Sequence, residues 1–482
     1  MKNFLILCML MSSFSLCAQN RIIVKLSPIF KGPYSGRLMV YLQADTSKPF
    51  GQAPEGPAFA VDVKNWHNGQ EQTFSGGVIA LKQKLDSIKS GYYRMVAILD
   101  TNTKERGNNA PGNLYTRQEV VAQLNGNFSK PAVLTLSNVF QSRKFMESDT
   151  VKEVVFKSHL LSKFRGEPVF IKAGVALPPS YKETDNRTYP VVYVIPGWGG
   201  THHHAYNKGQ RGIYGVGLGE EKIYVFLNPE TQSPFGLHAF VDSRVNGPWG
   251  SALINELMPH IVKEFKASSK SEHTFLTGQS TGGYGVIWLA LHFPKAIGGC
   301  WATAPDPVDF SNFLGINIYK DKNYYQTLSG EEREIYFVQG KATSTLREGG
   351  LKEWFEGDGG QQQAFDAEFG LPDRNGRPKP LFNFQTGIIN HQIAESWKPY
   401  DLALFVQKNW ERIKSDASGK ISIYAGENDN FLLQHSVMDF GDKIKKVGAD
   451  IKIQIIKGAD HFSIRGAIVK EMVAEMDKKI KR

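Results

Sequence analysis

From about residue 151 to the C-terminus, compact apolar runs alternate with stretches in which apolar residues recur at helical spacing. Predicted strands include "YPVVYVIPGW", "KIYVFLNPE", "TFLTG", "GGCWATA", "ISIYAG" and "IKIQII", and predicted helices include "GSALINELMPHIVKEF" and "GVIWLALHF". Strands that alternate with helices in this way predict a mostly parallel sheet that is covered by helices. Residues 151–482 are therefore predicted to form a doubly wound α/β domain.

Residues 19–150 carry a different pattern. Short runs in which apolar and polar residues alternate, such as "RIIVKL", "GRLMVYLQA" and "GYYRMVAIL", are separated by clusters of Gly, Pro, Asn and Asp. A period of two predicts antiparallel strands, and an all-β sandwich of immunoglobulin-like type is the expected arrangement. No cluster of catalytic residue types stands out in this part of the chain.

The strand–helix alternation is interrupted over residues 306–417, which are rich in glycine and aromatic residues. We interpret this segment as an insertion that folds over the ends of the strands as a cap. Its aromatic side chains either stack on a sugar or aryl ring or form a local core, and a local core is the expectation for most of them: Tyr319, Tyr324, Trp354, Phe355 and Trp397.

Residues 1–18 have the pattern of a secretory signal peptide. Lys2 precedes an apolar run from Phe4 to Met11, and small residues follow up to Ala18. These are the three parts of such a signal, and the apolar run is too short to span a bilayer. We therefore expect export to the periplasm or the cell exterior, and no later stretch is apolar enough to predict a transmembrane helix.

Cleavage near Ala18 removes two of the three cysteines. Cys8 and Cys17 are lost, Cys300 remains, and a mature chain with one cysteine has no internal disulfide. Lipid attachment at Cys17 is disfavoured, because Leu16 is bulkier than the small residue that usually precedes a lipidated cysteine. Nothing in the sequence indicates an oligomeric state.

The net charge of the chain is +10, from 57 basic and 47 acidic residues. The basic residues are scattered, and the single run, "MDKKIKR" at the C-terminus, is typical of a solvated helix end. A nucleic-acid partner would require a clustered basic patch. We therefore do not expect nucleic acid to be a partner of this protein.

A G-x-S-x-G motif spans Gly278 to Gly282 within "LTGQSTGGYG". It lies between a predicted strand and a predicted helix, which is the setting of a nucleophile elbow, and its glycines let the strand and the helix approach each other. Ser280 is therefore predicted to be a nucleophile. A glycine-rich turn without a catalytic role is the alternative.

A serine nucleophile requires a base and a carboxylate that orients the base. Asp429 follows the predicted strand "ISIYAG", and His461 follows the next strand, "IKIQII". Ser, then Asp, then His is a known chain order for a triad on a parallel sheet, so Asp429 is predicted to orient His461, which accepts the serine proton. Asp401 and Asp460 are the reserve candidates for the acid.

The loop after the strand "VVYVI" reads "PGWGGTHHHAYN". A glycine-rich loop at this place supplies a backbone N–H to the carbonyl oxygen of a bound ester, together with the N–H of the residue after the nucleophile. We therefore predict an oxyanion hole from the backbone of Trp198 and Thr281. The indole of Trp198 is expected to pack.

Five stretches occur in order after residue 151: "PGWGG", "GPWGSALINELMPHI", "LTGQSTGGYGVIWLALHFP", "GENDNFLL" and "KGADHF". Together they resemble the putative-esterase superfamily of α/β hydrolases, which contains esterase D, enterochelin esterases, feruloyl and acetylxylan esterases and mycolyltransferases. Two places differ from the common pattern: Pro196 stands where histidine is common, and His461 follows Gly-Ala-Asp. The resemblance implies an α/β-hydrolase domain and a reaction that needs no cofactor.

The resemblance also places "AFVDSRVNGPWGS" near the cleft. Asp242 and Arg244 are therefore predicted to contact the substrate, with turn formation as the alternative. His202, His203 and His204 follow the oxyanion loop and are predicted to line the mouth of the site, with His202 as a substrate contact. A metal is not expected there, because adjacent residues seldom point at one ion and no cysteine or carboxylate cluster accompanies them.

These observations predict an exported serine ester hydrolase that forms an acyl-enzyme. The resemblance implies a small-molecule or polysaccharide substrate, an acyl or aryl ester of a carbohydrate. A siderophore esterase of enterochelin type, an acyltransferase and an inactive binding protein on a hydrolase scaffold remain the alternatives, since fold alone does not determine function.

Overall fold

The structure is a computed structural model that describes residues 21–50, 56–125, 130–184 and 186–481. The predicted signal peptide lies outside these residues. Internal contacts divide the chain into two compact units. The first comprises the described residues up to 102 and from 108 to 141, and the second comprises residues 103–107 and those from 142 onward.

The described part of the first unit is built from strands and one short 3₁₀ turn, Leu85–Ser87. The strands join in one sheet of order β4-β1-β9-β7-β6-β2-β3-β5, with β8 paired to β6. Alternate residues of β6 are buried, as the sequence period predicts. The predicted antiparallel pairing holds for the described strands apart from β1 and β9, which pair in parallel, and the immunoglobulin-like topology stays a prediction. The strands are β1 Ile22–Leu26, β2 Tyr34–Gln43, β3 Ala58–Trp66, β4 Glu71–Phe74, β5 Ile79–Leu81, β6 Gly91–Asp100, β7 Leu114–Thr116, β8 Val120–Leu124 and β9 Ala132–Val139.

Eight described strands of the second unit form one sheet of order β10-β11-β13-β12-β16-β17-β20-β21. Neighbouring strands from β13 to β21 are parallel, and β11 is antiparallel to both of its neighbours. The predicted mostly parallel sheet is therefore confirmed. The strands of this unit are β10 Val151–Ser158, β11 Val169–Ala176, β12 Val191–Ile195, β13 Ile223–Leu227, β14 Asp242–Ser243, β15 Gly247–Pro248, β16 Thr274–Gln279, β17 Gly299–Thr303, β18 Glu334–Val338, β19 Lys341–Thr345, β20 Ile421–Gly426 and β21 Lys452–Ile456.

Helices cover both faces of this sheet. Val191, Tyr193 and Ile195 of β12 belong to a buried cluster with residues of α4, α5, α9 and α10, whereas Val192 and Val194 belong to a second cluster with residues of α11. The helices are α1 His159–Arg165, α2 Lys208–Ile213, α3 Trp249–Ala252, α4 Met258–Phe265, α5 Thr281–His292, α6 Leu346–Glu356, α7 Gln361–Phe369, α8 His391–Trp397, α9 Leu402–Ala417, α10 Leu433–Lys445 and α11 Ile464–Ile480. None of the described helices is both long and apolar enough to cross a membrane.

The sheet changes direction of winding between β12 and β16. The chain leaves β12 toward its neighbour β13 on one side and leaves β16 toward β17 on the other. Ligands of open α/β sheets bind in the crevice outside the carboxyl ends of the strands at such a switch point. The loops after β12 and β16 are therefore the expected walls of a binding site.

The insertion between β17 and β20 contains the hairpin β18–β19, then α6, α7 and α8, and last α9. α9 buries Leu402, Val406 and Trp410 in the same cluster as the strands of the sheet, so it is the helix that connects β17 to β20. Phe355 and Trp397 are fully buried. The residues before α9 are the ones that extend beyond the regular strand–helix layers.

Candidate active site

Ser280 occupies the sharp turn between β16 and α5. Its backbone has φ 56° and ψ −124°, a conformation that costs a non-glycine residue about 1–3 kcal/mol and persists where its surroundings enforce it. A Cβ on Gly278 would lie 2.1 Å from the carbonyl oxygen of Gly282, and one on Gly282 would lie 2.0 Å from that of Ile195. Only glycine fits at these two positions, and the turn holds Ser280 at the carboxyl edge of the sheet.

The loop after β12 lies against Ser280. A Cβ on Gly197 would lie 3.0 Å from the carbonyl oxygen of Gln279 and 3.1 Å from Cβ of Ser280. The turn that follows is closed by a hydrogen bond from the N–H of Gly200 to the carbonyl oxygen of Gly197 at 3.0 Å, and Gly199 has φ 88°. The loop and the elbow thus meet at the switch point of the sheet.

The two predicted oxyanion donors border this meeting point. Trp198 lies in the turn and lines the same cavity as Ser280. Thr281 is the first residue of α5, so its N–H has no acceptor within the helix and lies at the positive end of the helix dipole. The arrangement supports the oxyanion assignment, which stays a prediction.

The Trp198 indole is held in place by a cation. The guanidinium carbon of Arg106 lies 4.4 Å from the centroid of the indole ring, and Nε of Arg106 lies 3.1 Å from Oε1 of Glu230. This ion pair fixes the Arg106 side chain against the ring. The indole of Trp198 therefore packs, as expected, and its partner is Arg106, which is distant in sequence.

His461 and Asp429 form a hydrogen-bonded pair after β21 and β20. Nδ1 of His461 lies 2.9 Å from Oδ2 of Asp429, and Asp429 is 1% exposed. The other carboxylate oxygen of Asp429 accepts from the N–H of Phe431 at 2.9 Å. This geometry keeps the imidazole proton on Nδ1 and leaves Nε2 as the acceptor that a general base requires.

The histidine loop is fastened to the elbow. Phe431 and Phe462 stand edge-on to the imidazole of His461, with ring centroids at 4.8 and 5.3 Å. Nε2 of Gln279 donates to the carbonyl oxygen of His461 at 2.7 Å. Since Gln279 directly precedes Ser280, this bond fixes the spacing between the predicted nucleophile and base, which line one cavity.

The two reserve acids are used elsewhere. Asp401 caps α9 and accepts hydrogen bonds from the N–H of Phe310 at 3.1 Å and from the hydroxyl of Tyr319 at 3.0 Å. Asp460 accepts from the hydroxyl of Ser463 at 2.6 Å. Neither carboxylate is hydrogen-bonded to the His461 side chain, so Asp429 remains the candidate acid.

A carboxyl group that the sequence reasoning missed is hydrogen-bonded to the predicted nucleophile, Ser280. The hydroxyl of Ser280 donates to Oδ1 of Asp306 at 3.0 Å, and the hydroxyl of Thr281 donates to Oδ2 at 2.6 Å. Burial raises the pKa of Asp306 to about 6, although both hydrogen bonds act in the opposite direction. The sequence carries one indication of this contact, because Asp306 follows directly after β17, the strand beside that of Ser280. The predicted insertion begins at the same residue, which obscures this indication.

A buried arginine supports the elbow from α11, and the sequence reasoning missed it as well. Nη1 of Arg465 donates to the carbonyl oxygen of Gly278 at 3.2 Å and to the hydroxyl of Thr303 at 2.8 Å. Its guanidinium carbon lies 3.9 Å from the ring centroid of Tyr214, and burial lowers its pKa to about 10. Arg465 thus connects the ends of β16 and β17 next to the predicted nucleophile.

Ser280 and His461 open into a cavity of about 910 Å³. Its walls come from the loop after β12, the elbow, the histidine loop and the insertion. Aromatic and aliphatic side chains together make up 13 of its 29 described lining residues and stand beside several polar groups, as in many small-molecule sites. The aromatic members are Trp198, Tyr214, Tyr324, Tyr336, Phe365, Phe382, Phe431 and Phe462. Tyr324 is thus the one of the five insertion aromatics considered from sequence that reaches the cavity.

The structure places the candidate contact His202 outside this cavity. Nε2 of His202 lies 3.0 Å from Oε1 of Glu153, and its ring stacks on Phe145 at 5.4 Å. His204 is the member of the histidine run that lines the cavity. Burial lowers the pKa of His204 to about 4, so it is neutral near pH 7. Within the described residues no group of three His, Cys, Asp or Glu side chains could hold a metal ion.

Asp242 and Arg244 also lie outside the cavity lining. Asp242 accepts from the N–H of Ser251 at 2.8 Å. Arg244 donates to the carbonyl oxygens of Phe369 and Ser396 at 3.0 and 2.6 Å. Asp242 therefore has a local structural role, as in the turn-forming alternative considered from sequence. Arg244 instead links its loop to distant carbonyl groups of the insertion, and neither side chain is retained in the proposed site.

A family model and several solved structures match this chain. A family model described as "Putative esterase" matches residues 170–463, and a search of curated proteins finds no match. The chain is similar to a solved ferulic acid esterase, at 14% identity, TM-score 0.44, and coverage of 68% of this chain and 97% of that chain. It is also similar to an S-formylglutathione hydrolase from Agrobacterium tumefaciens (16%, 0.41, 69% and 97%) and a ferulic acid esterase from Anaeromyces mucronatus (15%, 0.38, 70% and 95%).

Proposed function

Because the chain belongs to the putative esterase family and is a carboxylic ester hydrolase, we propose that Ser280 is its nucleophile and His461 its general base. Asp429 orients the base. The observation that carries this proposal is the placement of Ser280, at a positive φ, in one cavity with the paired His461. Strained backbone of this kind clusters at functional sites, which supports a catalytic role for the serine.

In the first half of the reaction, Oγ of Ser280 attacks the ester carbonyl carbon while its proton passes to Nε2 of His461. The hydroxyl donates to Asp306 in this structure, so it turns toward His461 before the attack. The tetrahedral intermediate collapses when His461 gives the proton to the alcohol oxygen. The alcohol leaves, and the acyl group remains on Ser280.

In the second half, His461 takes a proton from a water molecule while the oxygen of that water attacks the acyl carbon. Collapse of the second intermediate breaks the bond to Oγ of Ser280, which regains its proton from His461, and the carboxylic acid is released. The N–H groups of Trp198 and Thr281 stabilise the oxyanion in both intermediates. Asp429 stays ionised and stabilises the imidazolium.

We propose an acyl or aryl ester of a carbohydrate as the substrate. The supporting observation is the aromatic lining of the cavity, since aromatic faces pack against the rings of sugars and phenolic acids. We also propose that residues 1–18 direct export, which would bring the enzyme to polymers outside the cytoplasm.

The proposal is tested by an activity screen of the wild type against Ser280→Ala. The substrates are p-nitrophenyl acetate, methyl ferulate, acetylated xylan and a catecholate siderophore. We expect turnover of the small ester and of at least one carbohydrate or aryl ester, and loss of all turnover in the variant. Turnover of the siderophore alone would indicate that the protein is a siderophore esterase. No turnover of any substrate by the wild type would favour an inactive binding protein.

A further inference from the structure

The insertion contributes a polar corner to the cavity that the proposed mechanism does not use. Glu353 at the end of α6, Gln362 at the start of α7 and Tyr324 line the cavity together with Ser280 and His461. None of these three takes part in proton transfer or oxyanion stabilisation as described above. Their side chains nevertheless form a connected set.

Glu353 is held by the first turn of α7. Both of its carboxyl oxygens accept from the N–H of Gln362 at 3.0 Å, at the positive end of the helix dipole. Burial raises the pKa of Glu353 to about 7, against these backbone hydrogen bonds. The N–H groups of Gln361 and Gln363 in the same turn also act on the carboxyl, which is therefore fixed in place and offers about four acceptor positions in total.

The amide of Gln362 is fixed from both ends. Its Oε1 accepts from the hydroxyl of Tyr324 at 3.1 Å, and its Nε2 lies 3.4 Å from Oδ1 of Asp366. The Tyr324 ring stacks on Phe382 with centroids 4.0 Å apart and an interplanar angle of 17°. Phe382 also lines the cavity, so the polar corner adjoins a rigid aromatic wall.

The charge of the cavity differs from that of the chain. The described lining residues include two carboxyl groups, those of Asp306 and Glu353, and include neither lysine nor arginine, although the chain has a net charge of +10. An anionic ligand would lose its water beside these carboxyl groups without gaining a counter-ion, which is costly in a buried site. A neutral ligand with hydroxyl groups would find hydrogen-bond acceptors.

We propose that Glu353, Gln362 and Tyr324 form a subsite for an uncharged, hydroxyl-bearing part of the substrate, such as a sugar ring, and that the cavity discriminates against anionic esters. The proposal rests on the ester hydrolysis assigned above to the same cavity. A substrate hydroxyl donates to the carboxyl oxygen of Glu353, and the wall of Tyr324 and Phe382 packs against the ring. Glu353 is thus a residue that determines specificity.

Hydrolysis of three acetyl esters tests the subsite. We compare kcat/KM, from acetate release at pH 8.0, for 6-O-acetylglucose, 6-O-acetylglucose 1-phosphate and acetylcholine, which are neutral, anionic and cationic. The wild type is expected to prefer the neutral sugar ester over the phosphate by about 10-fold or more, because the phosphate would lie near the carboxyl groups of Asp306 and Glu353 without a counter-ion. Glu353→Gln is expected to lose about 10-fold more activity on 6-O-acetylglucose than on p-nitrophenyl acetate.

Two further variants make this comparison specific. Tyr324→Phe keeps the ring on Phe382 and removes the hydroxyl that holds Gln362, so it should raise KM for the sugar ester. Glu331→Gln removes an exposed carboxylate of the same insertion that does not line the cavity, and it should change neither kcat nor KM. The proposed subsite would be overturned if Glu353→Gln lost equal activity on 6-O-acetylglucose and on p-nitrophenyl acetate. It would also be overturned if the wild type preferred acetylcholine over the neutral sugar ester.

Binding separates this proposal from the proposed function. Calorimetry with the Ser280→Ala protein measures the affinity for uncleaved 6-O-acetylglucose, and adding Glu353→Gln should weaken that affinity by about 10-fold. Binding that depends on Glu353 without turnover by the wild type would retain the subsite and reject the hydrolase. Turnover and binding that are both insensitive to Glu353→Gln would retain the hydrolase and reject the subsite.

Discussion

The hydroxyl of Ser280 donates a hydrogen bond to Oδ1 of Asp306 at 3.0 Å, whereas the proposed base, His461, is paired with Asp429. Asp306 is 4% exposed, and burial raises its pKa to about 6. A buried carboxyl of this kind lowers the stability of the fold once it ionises. The carboxyl beside the predicted nucleophile is therefore expected to reduce stability at neutral pH.

The raised pKa of Asp306 predicts a pH-dependent effect of Asp306→Asn on stability. The unfolded chain ionises Asp306 near 3.8 and the folded chain near about 6, so its stabilising contribution is present below pH 3.8 and is lost as the pH rises through 6. The variant does not ionise there. The free energy of unfolding of the variant minus that of the wild type should therefore increase between pH 4.0 and 7.5, by up to about 3 kcal/mol.

Thermal unfolding of both proteins at the two pH values provides the measurement. Other buried acids titrate identically in the two proteins, so their contributions cancel in the difference. A difference in melting temperature that is the same at pH 4.0 and 7.5 would show that the carboxyl has an ordinary pKa in the folded protein.

Loss of the carboxylate at Asp429 should leave the fold intact and reduce turnover. Asp429→Asn keeps an acceptor for the N–H of Phe431 but no longer fixes the tautomer of His461, and the corresponding change in a serine protease costs on the order of 10⁴-fold in kcat. The assay is turnover of p-nitrophenyl acetate. The matched control is Asp460→Asn, one residue before His461, which should retain near-normal turnover; the reverse result would assign the acid to Asp460.

The elbow predicts a contrast between two glycine substitutions. Gly282→Ala places a Cβ 2.0 Å from the carbonyl oxygen of Ile195 and should destabilise the protein by about 1–3 kcal/mol or more while abolishing turnover. Gly466→Ala, in α11, places a Cβ with no atom within 4 Å and should stabilise it by about 0.5–1 kcal/mol. The measurements are the melting temperature and the turnover of both variants. A fully active Gly282→Ala protein would contradict the inference that the elbow has no room for a side chain at this position.

The parts of this molecule that sequence could predict are those with a local signature. The alternation of apolar strands and helices leads directly to the mostly parallel sheet. The motif between a strand and a helix predicts the place of Ser280, and the positions of Asp429 and His461 after successive strands predict that they lie at the same edge of the sheet; their catalytic roles stay predictions. Strand ends of a parallel sheet share one edge, so the order of the chain is enough to bring these residues together.

The parts that it could not predict depend on contacts between distant residues. Asp306 lies 26 positions after Ser280, and Arg465 reaches the carbonyl oxygen of Gly278 across 187 positions; neither belongs to a periodic pattern. The histidine run shows a second limit. His202 and His204 lie in one 3₁₀ turn, His202–Tyr206, and adjacency alone does not tell which ring faces the cavity.

The most direct test of the account is covalent labelling of Ser280 by a fluorophosphonate probe. The wild type should be labelled once per chain, at the peptide that contains Ser280, and Ser280→Ala should abolish both labelling and ester hydrolysis while keeping the melting temperature. Ser251→Ala, a serine whose hydroxyl is bonded to Asp242 outside the cavity, should be labelled like the wild type. Labelling that survives in Ser280→Ala would contradict the assignment of the nucleophile and, with it, the proposed active site.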